Sequence, residues 1–145
     1  MSDRRERQGE LPTPAPRVTP ETERFWEATD DEKLLLRCCE DCDEYHHYPR
    51  CHCPFCHSEK VEWQEALGDG EVYTYTATHQ NGAPYDEATP YVLAYVELYE
   101  GPRVMTNIVG VEPDDVFVGQ EVSVVFDETE EGYSLPRFTP VSSPE

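Results

Sequence analysis

Cys39-Glu-Asp-Cys42 and Cys53-Pro-Phe-Cys56 form two CxxC pairs with ten residues between them. Two thiolates at this spacing hold one side of a tetrahedral metal ion, and a second pair closes the other side. Four thiolates leave no open coordination position, so such a site holds a fold together and does not activate water. The pattern predicts a structural zinc ion with Cys39, Cys42, Cys53 and Cys56 as ligands.

Neighbouring residues leave the choice of ligands open. Any of four further side chains could replace a predicted ligand, namely Cys38, Cys51, His52 and His57. A single CxxC can be a redox motif, but the second pair and the absence of a βαβ pattern disfavour that interpretation. The string Cys53-Pro-Phe-Cys56-His57 also matches c-type haem attachment, a chemistry of compartments outside the cytoplasm. We favour zinc, with the extra residues as neighbours that do not bind it.

The composition is strongly acidic. The chain has 31 acidic and 11 basic residues and a formal net charge of −20, and its only lysines are Lys33 and Lys60. Dense carboxylates keep a protein surface hydrated where high salt screens their repulsion. The composition therefore predicts a halophilic protein, and we favour a haloarchaeal one. The same surface disfavours nucleic acid, whose binding depends largely on the neutralisation of phosphates.

Nothing in the sequence indicates a membrane or an export signal. No apolar run approaches the roughly 20 residues that span a bilayer. The first stretch, MSDRRERQGELPTPAP, lacks the apolar region of a signal peptide. Thiols arranged for metal suit a reducing compartment. We therefore expect a cytoplasmic protein.

Composition and turn signals divide the chain into five segments. The prolines of residues 1–18 predict a flexible arm, and Thr19 and Pro20 suit the N-cap and first position of a helix over 19–36. The cysteine pairs define a zinc ribbon over 37–65. Residues 66–141 are predicted to form a barrel domain, and 142–145 a short tail.

Period-two alternation supports the barrel. It predicts strands at 72–78, 91–99, 104–109, 116–126 and 134–141. In the second run the inner face is formed by Val92, Ala94, Val96 and Leu98. Five strands separated by turns indicate a small barrel, for which the OB-fold is the natural candidate. The predicted fold class is mainly β, with an N-terminal helix, a zinc ribbon and a five-stranded OB-fold barrel.

A series of short motifs, in order, resembles a known family. The first half carries Phe25-Trp26, Leu36-Arg-Cys38, the two CxxC pairs around Tyr48-Pro-Arg50, and Glu62-Trp63. The second half carries Gly68-Asp-Gly-Glu-Val-Tyr-Thr-Tyr75, Pro90-Tyr-Val92, Glu100-Gly-Pro-Arg103, Val118-Gly-Gln-Glu-Val122 and Leu135-Pro-Arg-Phe138. Over residues 20–140 the combination resembles the DUF35 family, a rubredoxin-like zinc ribbon joined to an acyl-CoA-associated OB-fold. The chain departs from the family's usual ribbon at Cys38, Cys51 and His57.

The resemblance implies a non-catalytic role. Members serve as non-catalytic subunits of acyl-CoA acyltransferases, of aldolases in steroid side-chain breakdown and of archaeal thiolase/HMG-CoA synthase assemblies. For this chain we expect the accessory (beta) subunit of a thiolase-type acyl-CoA acyltransferase, such as a β-ketothiolase (acetyl-CoA C-acetyltransferase) complex. The catalytic residues then lie on a thiolase-fold partner, with HMG-CoA synthase as a further candidate partner. The accessory subunit stabilises the catalytic one and helps to shape the acyl-CoA channel. Acyl-CoA is then bound by the complex.

Three arginines and one histidine are candidate site residues. Arg50, Arg103 and Arg137 could contact CoA phosphates, although pairing with nearby carboxylates is the interpretation we favour. The chain has no GxSxG motif, and its cysteines are predicted to bind metal. His79 at a strand end has a suitable side chain for a general base, but a loop histidine is more often only a polar surface residue. We expect no catalytic residue.

Two other functions remain open at this stage. The chain could bind CoA esters by itself, without a partner. As an OB-fold with Tyr73 and Tyr75 available for base stacking, it could also bind nucleic acid, against which the acidic charge weighs heavily. The tyrosines of the second strand, Tyr91, Tyr95 and Tyr99, could form a partner interface or a solvated face.

Overall fold

A short helix leads into a small three-stranded sheet, and a closed five-stranded barrel follows. The computed structural model describes residues 11–13, 15–47, 49–79, 90–129 and 132–141. Helix α1 spans Glu23–Asp30, and the strands are β1 (Leu35–Cys39), β2 (Tyr45–His46), β3 (Val61–Glu65), β4 (Asp69–Thr78), β5 (Tyr91–Leu98), β6 (Arg103–Ile108), β7 (Glu121–Glu128) and β8 (Ser134–Pro140). Residues 1–10 and 14 of the predicted arm and the predicted tail at 142–145 lie outside the described residues.

Helix α1 is shorter than the predicted helix over 19–36, and its start differs. Thr22 is the N-cap, not Thr19. Residues 19–22 instead form a turn that contains Pro20, in which the Thr22 N–H donates to the Thr19 carbonyl at 3.0 Å. The proline therefore shapes the turn that enters the helix.

The helix also ends earlier than predicted, in a Schellman motif. Glu32 has a φ of 61°, and its N–H donates to the Thr29 carbonyl at 2.9 Å. The Lys33 N–H donates to the Ala28 carbonyl at 3.0 Å, which completes the motif. Glycine is the usual residue at the left-handed position, so a glutamate there gave no stop signal. Of the leucines that follow, Leu35 and Leu36 lie in β1 and none lies in the helix.

The three-stranded sheet has the order β2-β1-β3, with antiparallel pairs. The central strand β1 ends at Cys39, the first predicted zinc ligand. Arg37 and Trp63 face each other across β1 and β3, and the guanidinium lies 4.2 Å from the indole ring centroid. Leu34 and Leu36 are buried in the same core cluster as Phe25 of α1 and the barrel interior.

The barrel closes in the order β4-β5-β6-β8-β7, with β7 paired to β4. The β6–β8 pair is parallel and the other neighbours are antiparallel, which is the Greek-key arrangement of an OB-fold. The predicted inner face of the second run is confirmed, since Val92, Ala94, Val96 and Leu98 are at most 2% exposed. The predicted fold class is therefore confirmed.

The fourth barrel strand begins later than predicted. The strand expected over 116–126 starts at Glu121, because the preceding residues form a 3-10 turn at Pro113–Asp115 and a second turn. In that second turn the Gln120 N–H donates to the Phe117 carbonyl at 3.2 Å. Val116 and Val118 continue the period-two alternation of the strand toward the N-terminus, so the sequence pattern did not indicate the turns.

Gly70 lets β4 and β5 approach closely. A Cβ added there would lie 2.4 Å from the Glu97 carbonyl oxygen and 3.0 Å from the Leu98 Cα. We expect Gly70→Ala to lower the free energy of unfolding by about 1–3 kcal/mol, since both strands are held in the barrel and cannot part freely. Urea unfolding measures the loss, with Glu71→Ala at the exposed neighbour as the control. Equal stability of the two variants would show that the strands can separate locally.

Within the described residues, no helix has the length and apolar character required to cross a membrane.

Candidate metal centre and surface groove

The two CxxC pairs fold into turns of the same construction. In the first, the Asp43 N–H donates to the Cys39 carbonyl at 2.9 Å, and in the second the His57 N–H donates to the Cys53 carbonyl at 2.8 Å. Asp43 and His57 occupy equivalent positions and both have a left-handed backbone, with φ of 61° and 67°. This reversal after each second cysteine turns both sulfurs of a pair toward the same point.

The four sulfur atoms lie where a tetrahedral metal requires them. All four are within 4.8 Å of one another. The Cys39–Cys56 and Cys42–Cys53 Sγ distances are both 3.6 Å. A tetrahedron with zinc–sulfur bonds of about 2.3 Å has edges of about 3.8 Å, so the cluster fits zinc, whereas a disulfide needs about 2.05 Å. The Phe55 N–H also donates to Cys53 Sγ at 3.4 Å, which favours a thiolate there.

The alternative ligands lie outside this cluster. Cys51 is exposed, and its N–H donates to a Glu21 carboxylate oxygen at 2.7 Å. His52 Nε2 lies 3.4 Å from Glu59 Oε2 at the surface. Cys38 and His57 are also not members of the four-sulfur group. The structure therefore brings together Cys39, Cys42, Cys53 and Cys56 and separates them from the other four candidates.

Of the three candidate arginines, Arg103 and Arg137 line the same surface groove, and Arg50 does not. Arg137 is 3% exposed, and its Nη1 donates to Asp127 Oδ2 at 2.7 Å. Arg103 is half exposed, with Nη2 3.7 Å from Glu97 Oε2. Arg50 is exposed in the ribbon. Pairing with carboxylates, the interpretation favoured from sequence, describes Arg137 and Arg103, and a role in binding CoA phosphates stays a prediction.

A groove of about 570 Å³ runs between the arm, α1 and the outer side of β6 and β8. Phe25 and Trp26 of α1 form one apolar wall, and Met105 and Pro136 belong to the opposite side. Strands β6 and β8 share a single register pair, Ile108 with Phe138, so they diverge toward their first residues. The groove lies beside the part of β6 and β8 where the two strands have separated. Sequence reasoning missed it, because its walls come from segments far apart in the chain.

The arm is fixed along this groove by Arg137. Its Nη2 donates to the Pro12 carbonyl at 2.6 Å, and the adjacent Leu11 is 6% exposed. Ala15 and Pro16 then line the groove. The buried ion pair of Arg137 and Asp127 thus also holds a wall of the groove.

His47 is a half-buried titratable residue where the ribbon meets α1. Its ring contacts the Phe25 ring edge-on at 5.6 Å, and its Nδ1 atom is buried. Burial, together with the charge of neighbouring His46, lowers the pKa of His47 to about 4. His79, by contrast, is exposed at the end of β4.

The low pKa of His47 predicts a loss of stability in mild acid. In the unfolded chain the pKa of a histidine is about 6.5, so the unfolded state binds more protons between pH 6.5 and 4. Stability is therefore lost as the pH falls through this window, by about 2 kcal/mol between pH 7 and pH 5. Urea unfolding of His47→Gln at both pH values should show a smaller loss than the wild type. His79→Gln is the matched control, and an unchanged loss in His47→Gln would contradict the prediction.

Comparison with known proteins identifies both halves. The rubredoxin-like zinc ribbon domain of ChsH2 matches residues 26–62, and the C-terminal OB-fold domain of ChsH2 matches residues 63–127. A chain of the solved Ltp2-ChsH2(DUF35) aldolase superposes with a TM-score of 0.77 at 36% identity, covering 87% of this chain and 98% of that one.

Two curated relatives give the same result. A probable enoyl-CoA hydratase alpha subunit of Thermomonospora curvata is 36% identical over 127 residues, which are 88% of this chain and 40% of that longer protein. A DUF35 domain-containing scaffold protein of Methanocaldococcus jannaschii is 37% identical over 106 residues, which are 71% of this chain and 74% of the relative.

A ribbon closed by four cysteines and joined to a five-stranded barrel defines a zinc-ribbon OB-fold protein, and the metal of its ribbon is structural zinc. Both the matched domains and the relatives agree with the resemblance carried by the sequence motifs. The chain belongs to the DUF35 family.

Proposed function

We propose that this chain is the non-catalytic accessory (beta) subunit of a thiolase-type acyl-CoA acyltransferase, a β-ketothiolase or acetyl-CoA C-acetyltransferase complex. Its exposed apolar surface carries the proposal. Among the described residues, large hydrophobic side chains that are 44–63% exposed include Phe55, Tyr95, Met105, Phe117 and Val118. Patches of such side chains on a small acidic protein indicate a surface that a partner covers.

The names of the relatives support an accessory role. One relative is called a scaffold protein, and one solved structure is an aldolase of two components. In our proposal the thiolase-fold partner supplies the catalytic cysteine and histidines, with HMG-CoA synthase as a further member of the assembly. The zinc ion supplies structural cross-linking only, since four thiolates complete its coordination.

The groove gives this subunit a second task in the proposal, which is to shape the acyl-CoA channel. Its volume of about 570 Å³ lies within the range of small-molecule sites. The apolar walls formed by Phe25, Trp26 and Met105 suit an acyl chain, and the half-exposed Arg103 offers a cation beside them. Arg50 on the ribbon does not line the groove, and it is a further candidate for a CoA phosphate.

Reconstitution with the thiolase-fold subunit of the same genome tests the proposal. The two chains are co-expressed and purified in molar salt, since the charge of −20 suits a salt-rich cytoplasm. We expect co-elution on size exclusion, and a thiolase subunit that needs this chain for full activity. Apo chain stripped of zinc is the control. A thiolase subunit that is fully active alone and never co-elutes would contradict the proposal.

The groove also favours a second candidate, a standalone binder of CoA esters. Calorimetry of the isolated zinc-loaded chain with CoA and acetyl-CoA separates the two. Micromolar binding without any partner would favour the standalone function. Absence of heat, together with co-elution, would favour the accessory subunit.

A further inference from the structure

Four hydrophobic side chains point outward from neighbouring strands of the barrel. They are Tyr73 of β4, Leu93 and Tyr95 of β5, and Met105 of β6, which we call the β5–β6 face. They are 38–60% exposed. Tyr95 and Met105 are direct cross-strand partners, so their side chains are neighbours. The bulge between Val72 and Thr74 brings Tyr73 beside Arg103, whose guanidinium lies 3.8 Å from the ring centroid.

The β5–β6 face is nearly neutral in a chain with a net charge of −20. The cross-strand neighbours of Leu93 are Thr76 and Asn107, and Tyr95 also faces Thr74. Within the described strands β4, β5 and β6, charged side chains lie at one end only, where Glu97 is paired with Arg103 and also faces Glu71. Interface centres are depleted of charge and enriched in aromatic residues, methionine and arginine. A protein partner can cover this face without desolvating many carboxylates.

Strands β5 and β6 are the second and third strands of the barrel, and OB-folds use that face to bind oligonucleotides. Base stacking on Tyr73 and Tyr95 is sterically open, but phosphates need cations. Within strands β4, β5 and β6, Arg103 is the only lysine or arginine. A single cation neutralises too few phosphates for an oligonucleotide, which favours a protein over a nucleic acid.

We propose that the β5–β6 face is the docking surface for the catalytic subunit, which would present a surface that is apolar at its centre. This inference rests on the proposed function. Tyr95 and Met105 also line the groove, so face and groove form one continuous surface. The partner that covers the face would thereby roof the groove, and the acyl channel would lie between the two subunits.

Serine substitutions at the centre of the face test the inference. Tyr95→Ser, Met105→Ser and the double variant remove outward-facing apolar area and leave the inner face of the barrel intact. We expect the double variant to raise the Kd of the reconstituted complex about 30-fold, as for a hot-spot pair. Leu67→Ser is the matched control, because Leu67 is 76% exposed but outside the face, and its Kd should stay within about 2-fold. Zinc content and melting temperature confirm folding.

Each other outcome overturns the inference in a distinct way. If the wild-type complex forms and the double variant binds equally well, the face is wrong and the accessory role stands. If the wild-type chain does not bind the catalytic subunit, both fall. If the variants change only the oligomeric state of this chain, the occupant is a second copy. If the wild-type chain binds a fluorescent oligo(dT) and the variants do not, the face binds nucleic acid.

Discussion

Cys53→Ser is expected to release the zinc and unfold the ribbon. A serine hydroxyl does not ionise at neutral pH, so three thiolates and an open position would replace the closed tetrahedron. Structural zinc sites contribute about 10–16 kcal/mol to the folding of small domains, and most of this is lost with a ligand. Because Leu34 and Leu36 of the ribbon share one core with α1 and the barrel, the whole chain should lose stability. Zinc analysis and circular dichroism measure both effects.

Cys51→Ser is the matched control, two residues away. Its side chain is exposed and lies outside the four-sulfur cluster, so full zinc content and a melting temperature near that of the wild type are expected. Cys38→Ser should behave in the same way. Loss of zinc in either control, with retention in Cys53→Ser, would show that the metal uses another set of ligands.

The metal site could be predicted because its information is local. Two residues within each cysteine pair determine the reach of the sulfurs, and the ten residues between the pairs form a short ribbon. The sequence did not exclude Cys38 or Cys51. That choice depends on the left-handed turns at Asp43 and His57. Asp and His adopt this backbone more often than most residues, but in too few cases for the residue type to predict it.

The barrel could also be predicted, since alternation along a strand records which face is buried. The errors lie at element ends. Glu32 stops α1 in a conformation usually given to glycine, and the turn before Glu121 is built from residues that continue the alternation. Backbone hydrogen bonds determine where α1 ends and where β7 begins, and a hydrophobicity pattern does not indicate these bonds.

The groove and the role of Arg137 could not be predicted, because both depend on contacts between distant segments. The guanidinium joins β8 to Asp127, 10 residues away, and to the Pro12 carbonyl, 125 residues away. From sequence, this arginine resembled Arg103 and Arg50, which remain at the surface. Only the folded barrel separates a buried structural cation from two exposed ones.

Arg137→Met is the second substitution for which we expect a large effect. It would leave the Asp127 carboxylate, itself 7% exposed, without its guanidinium partner in the protein interior. Removing one partner of a buried pair costs about 3–5 kcal/mol, whereas replacing both by apolar residues of similar size is often neutral. We therefore expect the double variant Arg137→Met, Asp127→Leu to regain most of the stability lost by Arg137→Met alone, although the Pro12 carbonyl still loses its donor.

The exposed pair offers the matched control for this cycle. Arg103→Met breaks a pair that is half exposed, so its cost should be at most about 1 kcal/mol and should shrink further in molar salt. The loss in Arg137→Met should persist in high salt, because ions cannot screen a buried carboxylate. Urea unfolding of all variants at low and molar salt tests both expectations. An Arg137→Met variant as stable as Arg103→Met would mean that water reaches Asp127, and the arm would then be held by its apolar contacts alone.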